Sequence, residues 1–382
     1  MDNHNSIKII NKRARFNFKV LIFSLLIIPS ICMGEVIITD GESNTPLAKA
    51  SIFDKNGVFI AVADEKGQVP QSVSEKSYPI NVRYVGYTPV EVQNPNAGIV
   101  KMQESTYTLP EITVDDVSRN HLYIKAYERT YENEVDPNDT LLYFTERIVD
   151  FVLPLSKAAK NKGWKKGRVL SEREYAHVKQ QRKDKSRDSI RYRENKNNNS
   201  FGYQMNTDFI IPEALIHGDS TKVVIPGKYY PKEIWTKVGD NYVLLKDNLA
   251  DQKDHINSPA LLKMLGGTVD ITRDEYIYNF SPDSKGKIKP DMINEASYFL
   301  DLYLKGKIWK MASQQKEDLP LQCYGELYVI DRAYLTADEV KELKKNPPVV
   351  DTSFEAPEGI PAPPTKLLKL KEAVKEKYPE AH

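Results

Sequence analysis

The sequence has 382 residues, with 54 Lys and Arg against 53 Asp and Glu, and only two cysteines. This length is enough for two or three packed cores. The near-neutral charge argues against a general nucleic-acid-binding surface. Without the first 34 residues only Cys323 remains, so no disulfide can form within the rest of the chain. Packed cores must therefore provide the stability.

Residues 1–34 are predicted to be a secretory signal peptide. Five basic residues precede the apolar run 20–28, and Gly34 provides a small side chain at the predicted cleavage site. The run has about half of the roughly 20 residues that a membrane-spanning helix needs, which favours cleavage. Lipidation of Cys32 is the alternative. Lipoprotein signals have a small residue directly before the cysteine, however, and here that position is the bulky Ile31. We expect an exported protein, periplasmic or associated with an outer membrane, with a net charge of about −3 after cleavage.

Residues 35–115 contain short β-type runs at intervals of about ten residues, a pattern typical of an all-β sandwich. The dipeptide Asn56-Gly57 and the segment 64–67 have the composition of tight turns. The predicted strands cover residues 35–39, 48–53, 58–63, 78–85, 88–92 and 111–114.

Four stretches of this domain resemble the carboxypeptidase regulatory-like domain, a small transthyretin-like sandwich common in exported envelope proteins. They are TPLAKASI at 45–52, DEKGQV at 64–69, RYVGY at 83–87 and LPEITV at 109–114. Lys49 stands where the family usually has glycine, and Val69 where it usually has phenylalanine. The resemblance covers about a fifth of the chain and implies a non-catalytic accessory module.

Residues 116–345 are predicted to form a strand-rich α+β domain, so that the fold class is mainly β with an N-terminal Ig/transthyretin-like sandwich. We expect a curved antiparallel sheet with helices against one face. Residues 127–150 are also similar to the second domain of exported proteins that pair it with such a sandwich, which implies architecture and no activity. Predicted strands are 233–238, 241–246, 268–280, 298–305 and 321–330, and predicted helices are 260–265 and 340–345. Thr336 and Glu339 have the spacing of a capping box before the second helix.

Residues 157–196 hold 15 Lys and Arg against five acidic residues. They could bind lipid headgroups or a charged polysaccharide. The sparse apolar residues instead favour a solvated basic insertion over 157–199, with one short helix capped by Ser171 and Glu174. The proline-rich residues 346–364 are predicted to form a stiff, extended linker. Residues 365–382 are predicted to form a helix with one apolar side, which we expect to dock on the protein itself.

The sequence carries no recognisable catalytic motif, neither a metalloprotease helix, a nucleophile elbow, a phosphate loop nor a dinucleotide fingerprint. Cys323 lies in a predicted strand, where burial is a better explanation than nucleophilic use. The histidines of the exported chain show no metal-ligand spacing. They are His121, His177, His217, His255 and His382.

The oxygen donors Asp136, Asn138 and Asp139 invite a calcium interpretation. The glycine and the final acid of an EF-hand loop are both missing, so a turn explains them better. No catalytic, cofactor-binding or metal-binding residue and no cofactor is therefore predicted.

The preferred hypothesis is a non-enzymatic exported envelope protein with a binding or structural role, in which the sandwich docks a partner or carbohydrate and the larger domain makes structural or binding contacts. Its partner would be an envelope protein, a carbohydrate or an anionic lipid rather than nucleic acid. One alternative is a hydrolase whose site forms only in three dimensions. The other is binding of anionic lipid or polysaccharide through residues 157–196.

Overall fold

The structure, a computed structural model, describes most of the chain after the predicted signal peptide. The signal peptide itself, with Cys32, lies outside the described residues, as do the predicted strand 111–114 and the oxygen donors at 136–139. The described residues are 35–105, 119–134, 140–155, 164–181, 186–196, 212–216, 220–226, 231–238, 243–247, 255–256, 263–281, 288–308 and 318–380.

Residues 35–105 form a sandwich of two small sheets. Strands β1 and β6 pair in parallel, and the other four form an antiparallel sheet in the order β3-β2-β4-β5. Ile38, Ile52, Ile80 and Val82 are fully buried in their common core. The sequence pattern did not predict β6. The strands are β1 Ile37–Asp40, β2 Ser51–Phe53, β3 Phe59–Val62, β4 Ile80–Arg83, β5 Val90–Val92 and β6 Ile99–Met102.

Both predicted turns are present, but Asn56-Gly57 lies in a five-residue connection between β2 and β3, and Asn56 does not have the positive φ of a tight two-residue hairpin. Gly57 and Gly67 have positive φ angles of 74° and 71°, a conformation that glycine adopts without strain. Asp54 Oδ1 accepts the backbone N–H of Asn56, and Asp64 Oδ1 accepts that of Lys66. These aspartates fix the turns by hydrogen-bonding their own backbone two residues ahead.

The larger domain is built on one antiparallel sheet of eleven strands, which confirms the mainly β fold class. Ten strands follow the order β10-β9-β8-β7-β17-β16-β15-β13-β12-β11, and β14 pairs with β15. The strands are β7 His121–Glu134, β8 Thr140–Pro154, β9 Trp164–Gln181, β10 Ser186–Lys196, β11 Lys222–Pro226, β12 Lys232–Val238, β13 Val243–Asp247, β14 His255–Ile256, β15 Gly267–Phe280, β16 Ile293–Gly306 and β17 Asp318–Leu335.

The basic segment does not form the predicted solvated insertion. Residues 164–181 and 186–196 are β9 and β10, the last two strands at one edge of the sheet. The short helix expected between Ser171 and Glu174 is absent, because both residues lie inside β9 and pair with β8. Pairing with a neighbouring strand outweighed the local helix signal.

Three Glu-Arg dipeptides fix the register of β7, β8 and β9. They are Glu128-Arg129, Glu146-Arg147 and Glu172-Arg173, and each lies directly opposite the next in the antiparallel ladder. Because successive side chains point to opposite faces, every dipeptide places one charge on each face of the sheet. The Nε atom of Arg147 lies 2.5 Å from Glu172 Oε2 on one face. A slip by one residue would break the opposite-charge pairs on both faces.

Both faces of the sheet carry buried side chains. The core face, defined by Leu122, Ile124 and Ala126 of β7, forms one apolar cluster that reaches from β9 to β11. Helix α1, Glu213–Ile216, contributes the buried Leu215 to this cluster. The docking face, defined by Tyr127, Arg129 and Tyr131 of the same strand, is covered by the sandwich and the C-terminal segment. Helical residues therefore contribute to both faces, and the expected one-sided arrangement is wrong.

The sandwich packs on the docking face through aromatic rings. Phe53 lies 5.5 Å from Tyr324, and Phe59 lies 5.0 Å from Phe299, measured between ring centroids. Lys49 adds an ion pair, with its Nζ 3.2 Å from Oε1 of Glu275 in β15. Lys49 has a φ of 65°, a left-handed conformation that favours glycine. The lysine side chain thus compensates a strained backbone with a contact between the domains.

The C-terminal segment also covers the docking face. Helix α2, Ala337–Lys345, begins at Thr336 with the predicted capping box, and helix α3, Thr365–Lys377, buries Leu367, Leu370 and Val374. The predicted self-docking of the last helix is therefore confirmed. The proline-rich segment between them has no helix or strand and packs Phe354 against the sheet. Among the helices that the structure describes, none is long and apolar enough to cross a membrane.

The charge pattern of the Glu-Arg dipeptides generates a prediction. Exchanging the two charges in β8, with Glu146→Arg and Arg147→Glu together, would place like charges opposite one another on both buried faces. We expect a loss of more than about 4 kcal/mol in the free energy of unfolding, measured by urea denaturation.

The matched control exchanges two exposed neighbours on the edge strand β10, with Arg193→Glu and Glu194→Arg. Exposed ion pairs contribute little, so we expect a change of about 1 kcal/mol or less. Equal losses in the two double variants would contradict the assigned role of the dipeptides.

Candidate binding site

The cysteine and histidines that the sequence offered as candidate reactive or metal-binding residues do not form a common site in the described part of the chain. Cys323 is buried on the core face, as predicted, and burial raises the pKa of its thiol well above its ordinary value. His121 is buried in β7, and His177 Nε2 lies 2.8 Å from Asp188 Oδ1 in the β9–β10 pair. Within the described part of the chain, no group of three His, Cys, Asp or Glu side chains could hold a metal ion. The side chains of His217, His255 and His382 lie outside that part.

A row of alternating charges crosses the docking face of the sheet. Glu326, Arg129, Glu146 and Arg173 lie directly opposite one another on β17, β7, β8 and β9, and all four are buried. Helix α3 adds Lys371, whose Nζ lies 2.9 Å from Oε2 of Glu146. The row links four strands to the C-terminal helix.

Glu326 connects the sandwich to this row. Its carboxylate pairs with Arg129, accepts a hydrogen bond from Arg83 Nε at 3.0 Å and accepts another from the Tyr324 hydroxyl at 2.6 Å. Burial alone would raise the pKa of Glu326, but the charges of Arg129 and Arg83 outweigh it and lower the pKa to about 2. Arg83 Nη1 also donates to the carbonyl of Ala362 at 2.8 Å. Sandwich, sheet and C-terminal segment therefore meet at one buried ion cluster.

A second carboxylate at the same interface accepts a backbone hydrogen bond. Glu295 Oε2 lies 3.0 Å from the backbone nitrogen of Gly86. Gly86 has a φ of 83°, and a Cβ atom there would lie 1.8 Å from Nδ2 of Asn279, so only glycine fits. Burial raises the pKa of Glu295 to about 7, because the Gly86 hydrogen bond and the charge of Arg129 offset desolvation only in part.

An open groove lies between helix α2 and the ends of β7 and β17. Its volume is about 580 Å³, within the usual range of ligand sites. The floor is apolar, and three of the four charged side chains around it are carboxylates. The lining residues are Tyr123, Lys125, Asp331, Ala333, Leu335, Glu339, Glu342, Leu343, Asn346 and Pro348.

Helix α2 is held in place at both ends of the groove. Near its start, Arg119 Nη1 lies 2.9 Å from Oε2 of Glu339. Near its end, Arg168 Nη1 donates to the carbonyl of Leu343 at 3.1 Å. Between them Val340 is buried against the sheet. The groove is therefore lined by fixed elements on both sides.

Sequence reasoning predicted parts of this site but not the groove. The Thr336 capping box predicts α2, and the strand pattern in 321–330 predicts part of β17. Lys125 and Asp331 face each other across β7 and β17, a pairing that no local pattern signals. The repeated Glu-Arg dipeptides were the one available sign that β7, β8 and β9 are neighbours.

A comparison with models of protein families finds no match, and a comparison with curated proteins finds no similar sequence.

The raised pKa of Glu295 predicts a pH-dependent stability. A folded pKa of about 7 against an ordinary 4.5 means that ionised Glu295 destabilises the fold, so stability present below pH 4.5 is lost as pH rises through 7. Glu295→Gln keeps an acceptor for Gly86 and removes this loss. We expect the variant to gain up to about 3 kcal/mol over the natural chain between pH 5 and 8.5, in urea denaturation.

Glu146→Gln is the control on the same face of the sheet. Burial alone would raise the pKa of Glu146, but the charges of Lys371 and Arg173 outweigh it and lower the pKa, so its contribution is present above the ordinary 4.5 and lost only as pH falls through the lowered pKa. The control should therefore lose a constant amount of stability over the same range. A Glu295→Gln difference that does not change with pH would contradict the assignment.

Proposed function

We propose that this protein is an exported, non-enzymatic binding protein whose larger domain holds an apolar, positively charged segment of a partner protein. The groove beside helix α2 is the observation that carries this proposal. The predicted signal peptide supports export, and the resemblance of the sandwich to a non-catalytic accessory module supports a binding role. The hydrolase alternative stays a prediction.

The groove has the chemistry for such a segment. Tyr123, Ala333 and Leu335 provide an apolar floor on the sheet, where apolar side chains of a ligand would leave water. Asp331 and Glu342 are exposed at its margin, where they would attract a basic side chain. Glu339 already pairs with Arg119. Asp331 lies opposite Lys125, and Glu342 accepts a hydrogen bond from the Asn346 amide, but both carboxylates remain exposed to a ligand.

The sandwich supports the larger domain in this proposal. Its Phe53, Phe59 and Arg83 side chains are buried against the sheet or against the C-terminal segment. Surfaces used in this way are not available to an external partner. In this proposal the partner site is therefore the groove on the larger domain rather than the sandwich.

The test uses a fluorescent ten-residue peptide of alternating leucine and lysine, with a leucine and glutamate peptide of equal length as the control ligand. We expect saturable binding of the lysine peptide by fluorescence anisotropy. Replacing Asp331→Asn and Glu342→Gln together should weaken it roughly tenfold, since two exposed charge contacts are lost. Ala333→Trp should weaken binding further by filling the floor.

Glu358→Gln and Glu376→Gln, both exposed and outside the groove, form the control double variant and should leave affinity unchanged. Equal binding of the two peptides would overturn the proposed ligand chemistry. Binding that survives Ala333→Trp would overturn the assignment to the groove.

A further inference from the structure

Two large apolar side chains are exposed next to each other at one tip of the sheet. Met264 is 77% exposed and Leu265 is 51% exposed, in the turn that precedes β15. Tyr303 of β16 is 40% exposed on the strand that pairs with β15. Single exposed apolar residues are ordinary, but adjacent ones at a projecting turn suggest contact with an apolar phase.

Glycines build this tip. The backbone nitrogen of Gly266 donates to the carbonyl of Lys263 at 3.0 Å, and Gly266 has a φ of 73°. Gly306 has a φ of 102°, and a Cβ there would lie 2.1 Å from the Gly266 carbonyl oxygen. The close approach of Gly306 holds the backbone at Gly266, directly after Met264 and Leu265.

Two exposed lysines lie next to the apolar pair. Lys263 directly precedes Met264, and Lys307 follows β16, whose last residue pairs with the first residue of β15. Lys305 already forms an ion pair with Asp270. The tip therefore combines a small apolar surface with two exposed positive charges.

We propose that this end of the sheet rests on an anionic phospholipid surface. Met264 and Leu265 would enter the boundary between headgroups and acyl chains, while Lys263 and Lys307 bind lipid phosphates. A stable protein interface buries about 800 Å² on each partner, far more than two side chains provide. A lipid surface needs only a small apolar insertion next to positive charge, which is what the tip presents.

The test measures co-sedimentation of the purified chain with vesicles of 30% phosphatidylglycerol in phosphatidylcholine, against pure phosphatidylcholine. All samples carry Cys32→Ser, so that no lipid anchor at that position contributes. We expect at least tenfold stronger partition into the anionic vesicles, with a decrease at high salt. Met264→Ser with Leu265→Ser, and separately Lys263→Glu with Lys307→Glu, should each reduce that partition at least tenfold.

Ile99→Ser is the control for the apolar pair, because Ile99 is 65% exposed on the sandwich. Arg191→Glu with Arg193→Glu, on exposed positions of β10, tests the earlier lipid hypothesis for residues 157–196. Both controls should keep the partition of the natural chain. Loss of binding only in the β10 variant, or unchanged partition in the Met264 and Leu265 variant, would overturn the proposal.

Discussion

The carboxylate of Glu326, buried between Arg83 and Arg129, is the contact on which the arrangement of this protein depends. It joins a strand of the sandwich to two strands of the sheet, and Arg83 continues to the backbone of the C-terminal segment. An ion removed from water is stable only when its partners remain in place. The cluster therefore fixes the relative position of all three parts.

The sequence predicted those features that local chemistry determines. The turns at Gly57 and Gly67, the capping box at Thr336 and the apolar side of the last helix all depend on residues close together in the chain. The mainly β fold class followed from the same short-range patterns. The burial of Cys323 was also predicted, because it lies inside a predicted strand and no sequence feature activates its thiol.

The rest could not be predicted because it depends on pairings between distant strands. Residues in β7, β8 and β9 are buried on both faces of the sheet, so these strands do not show the alternation of apolar and polar residues that marks a half-buried strand. They carry buried charges instead, which are neutralised by opposite charges on the neighbouring strands. Because those partners are distant in sequence, the charged residues of the basic segment predicted a solvated surface. The groove and the tip proposed to bind lipid lie at opposite ends of the strands of the large sheet, which span about 40 Å.

A double-mutant cycle on Arg83 and Glu326 tests the central claim most directly. The free energy of unfolding would be measured for Arg83→Met, Glu326→Gln and the double variant. If this cluster joins the domains, the two losses should be non-additive, with a coupling energy of about 2 kcal/mol or more. Additive losses, within about 0.5 kcal/mol, would show that the two residues act independently and would contradict the claim.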